Sequence, residues 1–349
     1  MNNLQKIVSK IIKKKLTKQH LLTYLFWECT LRCNLNCLHC GNDCLASSSI
    51  KDMPFDDFAR ALSTIPYNIR SKITVIITGG EPLVRKDIAE CGKEIRAMGF
   101  RWGMVSNALL YDQQTHINLL NSGIGSLTFS LDGLEKNHNW LRNNSISFSK
   151  VDKAIDLVVQ SPRINFDIVT CVNQKNISEL QQIYEYLLSK NVRQWRLFTI
   201  SPIGRAKNDT ILHLHNIQFQ TLMNFIVQKR KENKINVKFS CEGYVDAYEM
   251  KVRDTFFFCR AGINIASVLI DGSICACPNI DRNFAQGNIY KDNFYSVWQN
   301  KYQIFRDRNW LKQGICKDCS KFAQCLGNGF HLWQKDKPNV LVCHRNMLH

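Results

Sequence analysis

Cys33, Cys37 and Cys40 stand in the run Cys-Thr-Leu-Arg-Cys-Asn-Leu-Asn-Cys-Leu-His-Cys, which starts at Cys29 shortly after the apolar stretch ending at Trp27. Spacings of three residues and then two gather three thiolates on one short loop. Such a set holds three irons of a cubane [4Fe–4S] cluster and leaves the fourth iron without a protein ligand, and an open metal position marks a centre that reacts rather than one that only staples. Structural zinc is the competing reading, because Cys29 or Cys44 offers a fourth ligand.

A second run has the make-up of a ligand loop. In Thr78-Gly79-Gly80-Glu81-Pro82 two glycines let backbone come close to a ligand, and Glu81 adds an acceptor for an ammonium group. Taken alone the run reads as a tight turn. Further breaks occur at Ser106-Asn107-Ala108, Ser130-Leu131-Asp132-Gly133 and Ser201-Pro202-Ile203-Gly204-Arg205.

The elements that must position these residues alternate. Strands are predicted at Tyr24–Glu28, Ile73–Thr78, Arg101–Ser106, Ser126–Leu131, Asn165–Val172 and Gln194–Ile200. Amphipathic stretches lie between them, at Asp56–Ile65, Asp87–Met98, Gln113–Ser122, Val151–Val159 and Ser178–Ser189. Thr74-Val75-Ile76-Ile77 has the continuous β-branched character of a parallel strand covered on both faces. The fold class expected is α/β, a partial (β/α)6 barrel over residues 24–215, in which the loops after the strands carry the chemistry. Apart from the fifth strand, each predicted strand is followed by one of the runs above. A basic extension (1–23) precedes the barrel. A connecting helix, Asn216–Glu232, and a strand, Ile235–Phe239, fill 216–255, and a cysteine-rich, metal-organised domain occupies 256–349.

The cysteine triplet after the first strand, followed by Gly79-Gly80-Glu81-Pro82 after the second, resembles the radical S-adenosylmethionine (SAM) superfamily. The resemblance implies that SAM binds the open iron through its amino and carboxylate groups. One electron from the reduced cluster, drawn from an external donor, then cleaves the sulfonium and releases a 5′-deoxyadenosyl radical that abstracts a substrate hydrogen. It implies SAM contacts by Gly79, Gly80, Glu81, Pro82, Asn107, Ser130 and Arg142, and it places His39 where the family usually has an aromatic ring near the adenine. Two positions depart from the family pattern: Asn139 replaces Asp in His-Asp-x-x-Arg, and Ala108 replaces Gly in Thr-Asn-Gly.

The C-terminal cysteines resemble the SPASM extension, the auxiliary-cluster domain of peptide-maturing radical SAM enzymes. Cys259 precedes Gly272-x4-Cys277, Cys316-x2-Cys319-x5-Cys325 follows, and Cys343 comes last. By that resemblance Cys316, Cys319, Cys325 and Cys343 hold one auxiliary [4Fe–4S] cluster. The inner site keeps Cys259 and Cys277, with Cys275 near, but has Gly329 where the pattern requires a cysteine. It is absent, smaller, held by three cysteines, or completed by Cys241 or His331. Cys29, Cys44, Cys91 and Cys171 are expected to be ordinary unligated residues.

Composition bounds the rest. Fifteen cysteines in 349 residues, with no signal-peptide pattern at the start, fit a reducing cytoplasm in which thiols serve metals. No window reaches the length of a membrane span. Of the net charge of +17, Lys6, Lys10, Lys13, Lys14, Lys15 and Lys18 form an N-terminal cluster with Ile7, Ile11, Ile12 and Leu16 at helical spacing. That arm suits an anionic membrane surface or an acidic partner; the simpler expectation is a helix packing its Ile/Leu stripe on the body. Lys and Arg elsewhere are scattered without interleaved aromatics, so nucleic acid is not the expected partner. The resulting expectation is a radical SAM/SPASM enzyme modifying a peptide or protein. Its alternatives are a radical SAM enzyme acting on a small molecule such as a tetrapyrrole, and a zinc-bearing, basic nucleic-acid-binding protein.

Overall fold

A computed structural model of the chain describes residues 3–240 and 242–349, so Cys241 lies outside the described residues. The apolar runs form strands β1 (Tyr24–Thr30), β2 (Thr74–Gly79), β3 (Arg101–Ser106), β4 (Ser126–Ser130), β5 (Asn165–Val172) and β6 (Gln194–Thr199). They are followed by β7 (Asn236–Phe239), β8 (Ile265–Val268), β9 (Ser273–Cys275) and β10 (Gly287–Asn288). All ten belong to one sheet in the order β10-β9-β8-β1-β2-β3-β4-β5-β6-β7. Strands β1 to β7 are parallel neighbours in sequence order, the expected product of repeated right-handed crossovers.

The sheet extends beyond six strands at both ends. Strand β7 pairs with β6, and β8, from the cysteine-rich segment, pairs in parallel with β1 (Trp27 opposite Val268). Both modules therefore share one core. Leu25, Trp27, Val75, Ile77, Trp102, Ala266 and Val268 are all fully buried. A helix covers the start of the sheet, where Trp27 stacks on Phe58 with ring centres 4.7 Å apart. At the end of β1 the carboxylate of Glu28 is completely buried and ties the modules polarly as well. It accepts from the backbone N–H of Ile270 at 2.9 Å and pairs with Arg282 at 2.8 Å.

One helix escapes the apolar pattern. Glu135–Arg142 (Glu-Lys-Asn-His-Asn-Trp-Leu-Arg) has too few apolar residues for a periodic signal, yet it carries Arg142 and the buried His138. Asn139 is used locally: its amide oxygen accepts from the N–H of Phe148 at 2.8 Å and its amide donates to the Ser145 carbonyl at 2.8 Å.

The N-terminal helix, Asn3–Gln19, reverses the packing expected of its stripe. Leu4, Ile7 and Ile11 are 69%, 58% and 61% exposed, whereas Ser9 and Lys13 are buried against the body. Lys13 donates to the Gln324 carbonyl and lies over the Phe258 ring, and burial pulls its pKa down to about 8. The surface that the helix meets offers carbonyl groups and aromatic rings, which suit a lysine stem and its ammonium better than a row of isoleucines. No helix among the described residues is long and apolar enough to cross a membrane.

Candidate active site and auxiliary metal centres

The triplet loop follows β1 and is held by its neighbours' backbone. Cys33 N–H donates to the Leu45 carbonyl at 2.7 Å and Leu38 N–H to that of Leu141 at 2.9 Å. Arg205 grips the far side: its backbone N–H donates to the Cys40 carbonyl at 3.0 Å, and its Nε to the Cys37 carbonyl at 2.7 Å. Gly204 makes this approach possible, since its φ is +55° and a Cβ there would lie 2.3 Å from the Cys40 carbonyl oxygen. Cys33 and Cys37 are buried and Cys40 half-buried. As free thiols they feel that burial, which pushes Cys33 up to about 12 and raises Cys37. Cys44 lies against the triplet, its N–H 3.4 Å from Cys40 Sγ.

Gly79 and Gly80 bring β2 against that loop. A Cβ at either position would lie 2.1 or 2.2 Å from the carbonyl oxygen of Thr30 or Arg32. The glycines thus admit the chain's own backbone as well as lining the site. Pro82 is buried and opens a short 3-10 turn. Glu81, 1% exposed, already accepts three hydrogen bonds: from Leu83 N–H at 3.0 Å, Ser106 Oγ at 2.8 Å and Asn107 N–H at 2.7 Å. Its structural work is to tie the loop after β2 to the loop after β3. Burial raises its pKa against the opposing pull of these donors. Asn107 then points its amide at Cys33 Sγ (3.8 Å) and Asn34 Oδ1 (2.8 Å). Ala108 has φ +64°, the left-handed conformation that explains the glycine of the usual pattern.

Arg142 is buried and lines the cavity that the triplet loop borders. It pairs with Asp132 at 2.5 Å and directs Nη1 at Cys37 Sγ, 3.7 Å away. Burial opposes its charge, but Asp132 and Cys37 outweigh that and raise its pKa. Ser130 and His39 line the same cavity. Burial lowers His39 to about 4, so the ring is neutral. His39, Asp132 and Cys171 bring ligand-type atoms within 4.8 Å of one another. Cys171 therefore departs from the ordinary buried residue expected: it is half-buried and faces the cavity.

The ends of β1 to β6 converge on one cavity of about 430 Å³, which requires the sheet to curl. Its opposite wall comes from the C-terminal module: Cys259, Cys277, Ile280 and His331. Glu242, just after β7, also lines it, accepting from Thr199 Oγ1 at 3.2 Å with His331 Nε2 at 3.6 Å. Burial opposes ionisation of Glu242, but His331 and His344 outweigh it and lower its pKa. Nothing in the sequence singles Glu242 out; it reaches the site only through the fold. Cys275 is fully buried on β9 and does not line the cavity. Its carbonyl accepts from Tyr302.

A separate cavity of about 360 Å³ is lined by Cys316, Cys319, Cys325 and Cys343. Asn328 N–H lies 3.1 Å from Cys325 Sγ. Four sulfurs gathered from turns around one small space fit a closed metal centre.

Comparison with known proteins settles the family. Residues 27–187 match the family described as the radical SAM superfamily, and residues 259–320 match SPASM, an iron–sulfur cluster-binding domain. The chain carries a radical SAM domain followed by a SPASM domain. It is 24% identical over 319 residues to the AdoMet-dependent heme synthase of Methanosarcina barkeri, covering 86% of this chain and 89% of that protein. It is also 24% identical over 307 residues to the mycofactocin maturase MftC of Mycobacterium tuberculosis (strain H37Rv), covering 87% and 77%. Its fold is similar to that of anSMEcpe with bound AdoMet and Cp18Cys peptide, with TM-score 0.69, 19% identity and 94% of each chain covered.

The chain is thus a radical SAM enzyme with a SPASM domain, and these domains carry a [4Fe–4S] cluster, SAM and auxiliary iron–sulfur clusters. That displaces the zinc-bearing binding protein as a reading. The local chemistry fits: two N–H donors, from Asn107 and Arg142, aim at sulfurs of the triplet, as an anionic cluster–thiolate assembly requires.

Proposed function

We propose that this enzyme abstracts a hydrogen from a side chain of a peptide or protein, with Cys33, Cys37 and Cys40 holding the SAM cluster. Cys316, Cys319, Cys325 and Cys343 hold an auxiliary one. The observation carrying this reading is the single cavity of about 430 Å³ walled by the triplet loop on one side and by Cys259 and Cys277 on the other. When bound, the cluster and SAM supply the carbon-centred radical. The protein's own part is to position and to exclude. Gly79, Gly80, Asn107 and Ser130 border the space for SAM, with the neutral ring of His39 beside it. Arg142 and Asn107 stabilise negative charge on the thiolates. Phe198, Ile200, Ile203 and Ile280 keep the reacting space apolar. Among the described residues, Glu242 is the one carboxylate on the wall besides Glu81, and it is placed to hold a proton lost by substrate.

Similarity to a heme synthase favours a second reading, a tetrapyrrole substrate. One experiment separates the two. The anaerobically reconstituted, reduced enzyme is given SAM with candidate precursor peptides or with iron porphyrins, and 5′-deoxyadenosine and substrate mass are followed. Peptide-dependent product with a changed peptide mass supports the first reading. Porphyrin-dependent product alone replaces it.

The N-terminal helix adds a partner. Lys10, Lys13, Lys14, Lys18, Lys312 and Lys317 line a groove of about 830 Å³ between that helix and the C-terminal module, with Phe322 and Leu326 in its wall. We infer that it receives an acidic stretch of the substrate polypeptide. Deleting residues 1–20 weakens substrate binding on this reading; unchanged affinity would sink it.

A further inference from the structure

The cysteine pattern of the C-terminal module breaks at Gly329, and an imidazole fills the gap. A Cβ at position 329 would lie 2.5 Å from Cε1 and 2.8 Å from Nδ1 of His331, and 2.6 Å from the Glu242 carbonyl oxygen. Real Cβ atoms do not come so close, so the ring of His331 occupies the space a cysteine side chain at 329 would enter. Glycine at 329 is therefore the condition for His331 to sit where it does. The same turn touches the first inner cysteine: Phe330 N–H lies 3.4 Å from Cys259 Sγ. His331, Cys259 and Cys277 line one wall of the central cavity. His331 Nε2 is buried without a hydrogen bond, and the nearest carboxylate oxygen, on Glu242, is 3.6 Å away. A buried imidazole nitrogen with no hydrogen bond, on the same cavity wall as two cysteines, has the chemistry of a metal ligand.

We propose that His331, through Nε2, replaces the missing cysteine as a ligand of the inner auxiliary iron–sulfur cluster, alongside Cys259 and Cys277. Exchanging a thiolate for a neutral imidazole removes one negative charge from the ligand set and raises the reduction potential, as in other histidine-ligated clusters. The inference rests on reading Cys259 and Cys277 as auxiliary ligands.

The test uses the full chain with Cys33, Cys37 and Cys40 changed to Ala, so that only auxiliary clusters remain, produced with 15N-histidine and reduced anaerobically. Electron-nuclear double resonance is expected to show a strongly coupled imidazole nitrogen that changes with the label. His331→Cys should abolish that coupling, keep the iron and lower the potential of one cluster. His331→Ala should lose one cluster's iron while the signal of the other persists, which reports that the module is still folded. Both auxiliary clusters without nitrogen coupling would overturn the proposal. So would iron content and potentials that His331→Ala leaves unchanged. SAM cleavage by the intact enzyme is assayed separately, so failure here is distinguishable from failure of the proposed function.

Discussion

The loop of Cys33, Cys37 and Cys40 and the cavity of Cys316, Cys319, Cys325 and Cys343 gather cysteines in opposite ways. The first sits on the end of a parallel strand, tied by Arg205 and by backbone bonds to Leu45 and Leu141, none of which depends on a thiol. The second is built from short 3-10 and α turns, such as Gly314–Cys316 and Phe322–Cys325, around a space of about 360 Å³. On the proposed reading, a metal bound by the four sulfurs would be a principal means of holding the turns together. A fold that supports its metal leaves an iron open for chemistry; a metal that supports its fold is closed.

The sharpest way to break this comparison is to remove each set of thiols. Changing Cys33, Cys37 and Cys40 to Ala should abolish 5′-deoxyadenosine formation while shifting the melting temperature little. Changing Cys316, Cys319, Cys325 and Cys343 to Ala should lower it by roughly 5 °C or more, or abolish soluble expression, since a structural metal contributes folding energy directly. Equal melting shifts would refute the distinction. Next in size is the ion pair behind the first site. Asp132→Ala leaves Arg142 buried and unpaired, at a cost of about 3–5 kcal/mol in urea unfolding, and disturbs the triplet through Cys37.

Acid probes the same wall. His138 accepts from Asp132 N–H at 3.0 Å and bonds Ser147 at 2.9 Å, and burial lowers its pKa to about 3. A histidine held below its unfolded value of about 6.5 contributes stability that is fully present above that value and is lost as pH falls toward 3. Unfolding free energy should therefore drop by up to about 1.4 kcal/mol per pH unit in that window. His138→Gln should remove this part of the slope. The smallest effect belongs to Ala108, whose φ of +64° costs about 1 kcal/mol. Ala108→Gly should stabilise the apoprotein by roughly 0.5 kcal/mol net of backbone entropy, measured by chemical denaturation.

Much of the framework was legible in the chain. Strands Arg101–Ser106 and Asn165–Val172 and the helix Asn216–Glu232 begin and end where the pattern predicts, because continuous apolar runs and helical periodicity are local signals. Glu135–Arg142 was not legible, since its helical state comes from burial of His138 and Arg142 rather than from an apolar stripe. The N-terminal helix was legible as a helix but not in its orientation, which the surface it meets decides.

By itself the sequence determined the ligand types. Spacing along a few residues fixes how many thiols one loop offers: three at Cys33, Cys37 and Cys40, and three more at Cys316, Cys319 and Cys325. Only the tertiary structure decided which groups face each other. It turned Cys277 and Cys171 toward the cavity and Cys275 away, gave Glu81 and Arg142 partners of their own, and brought Glu242 and His331 to the wall. Those contacts join elements far apart in the chain, and their geometry follows from how strands β1 to β8 close ranks around one core rather than from any local preference.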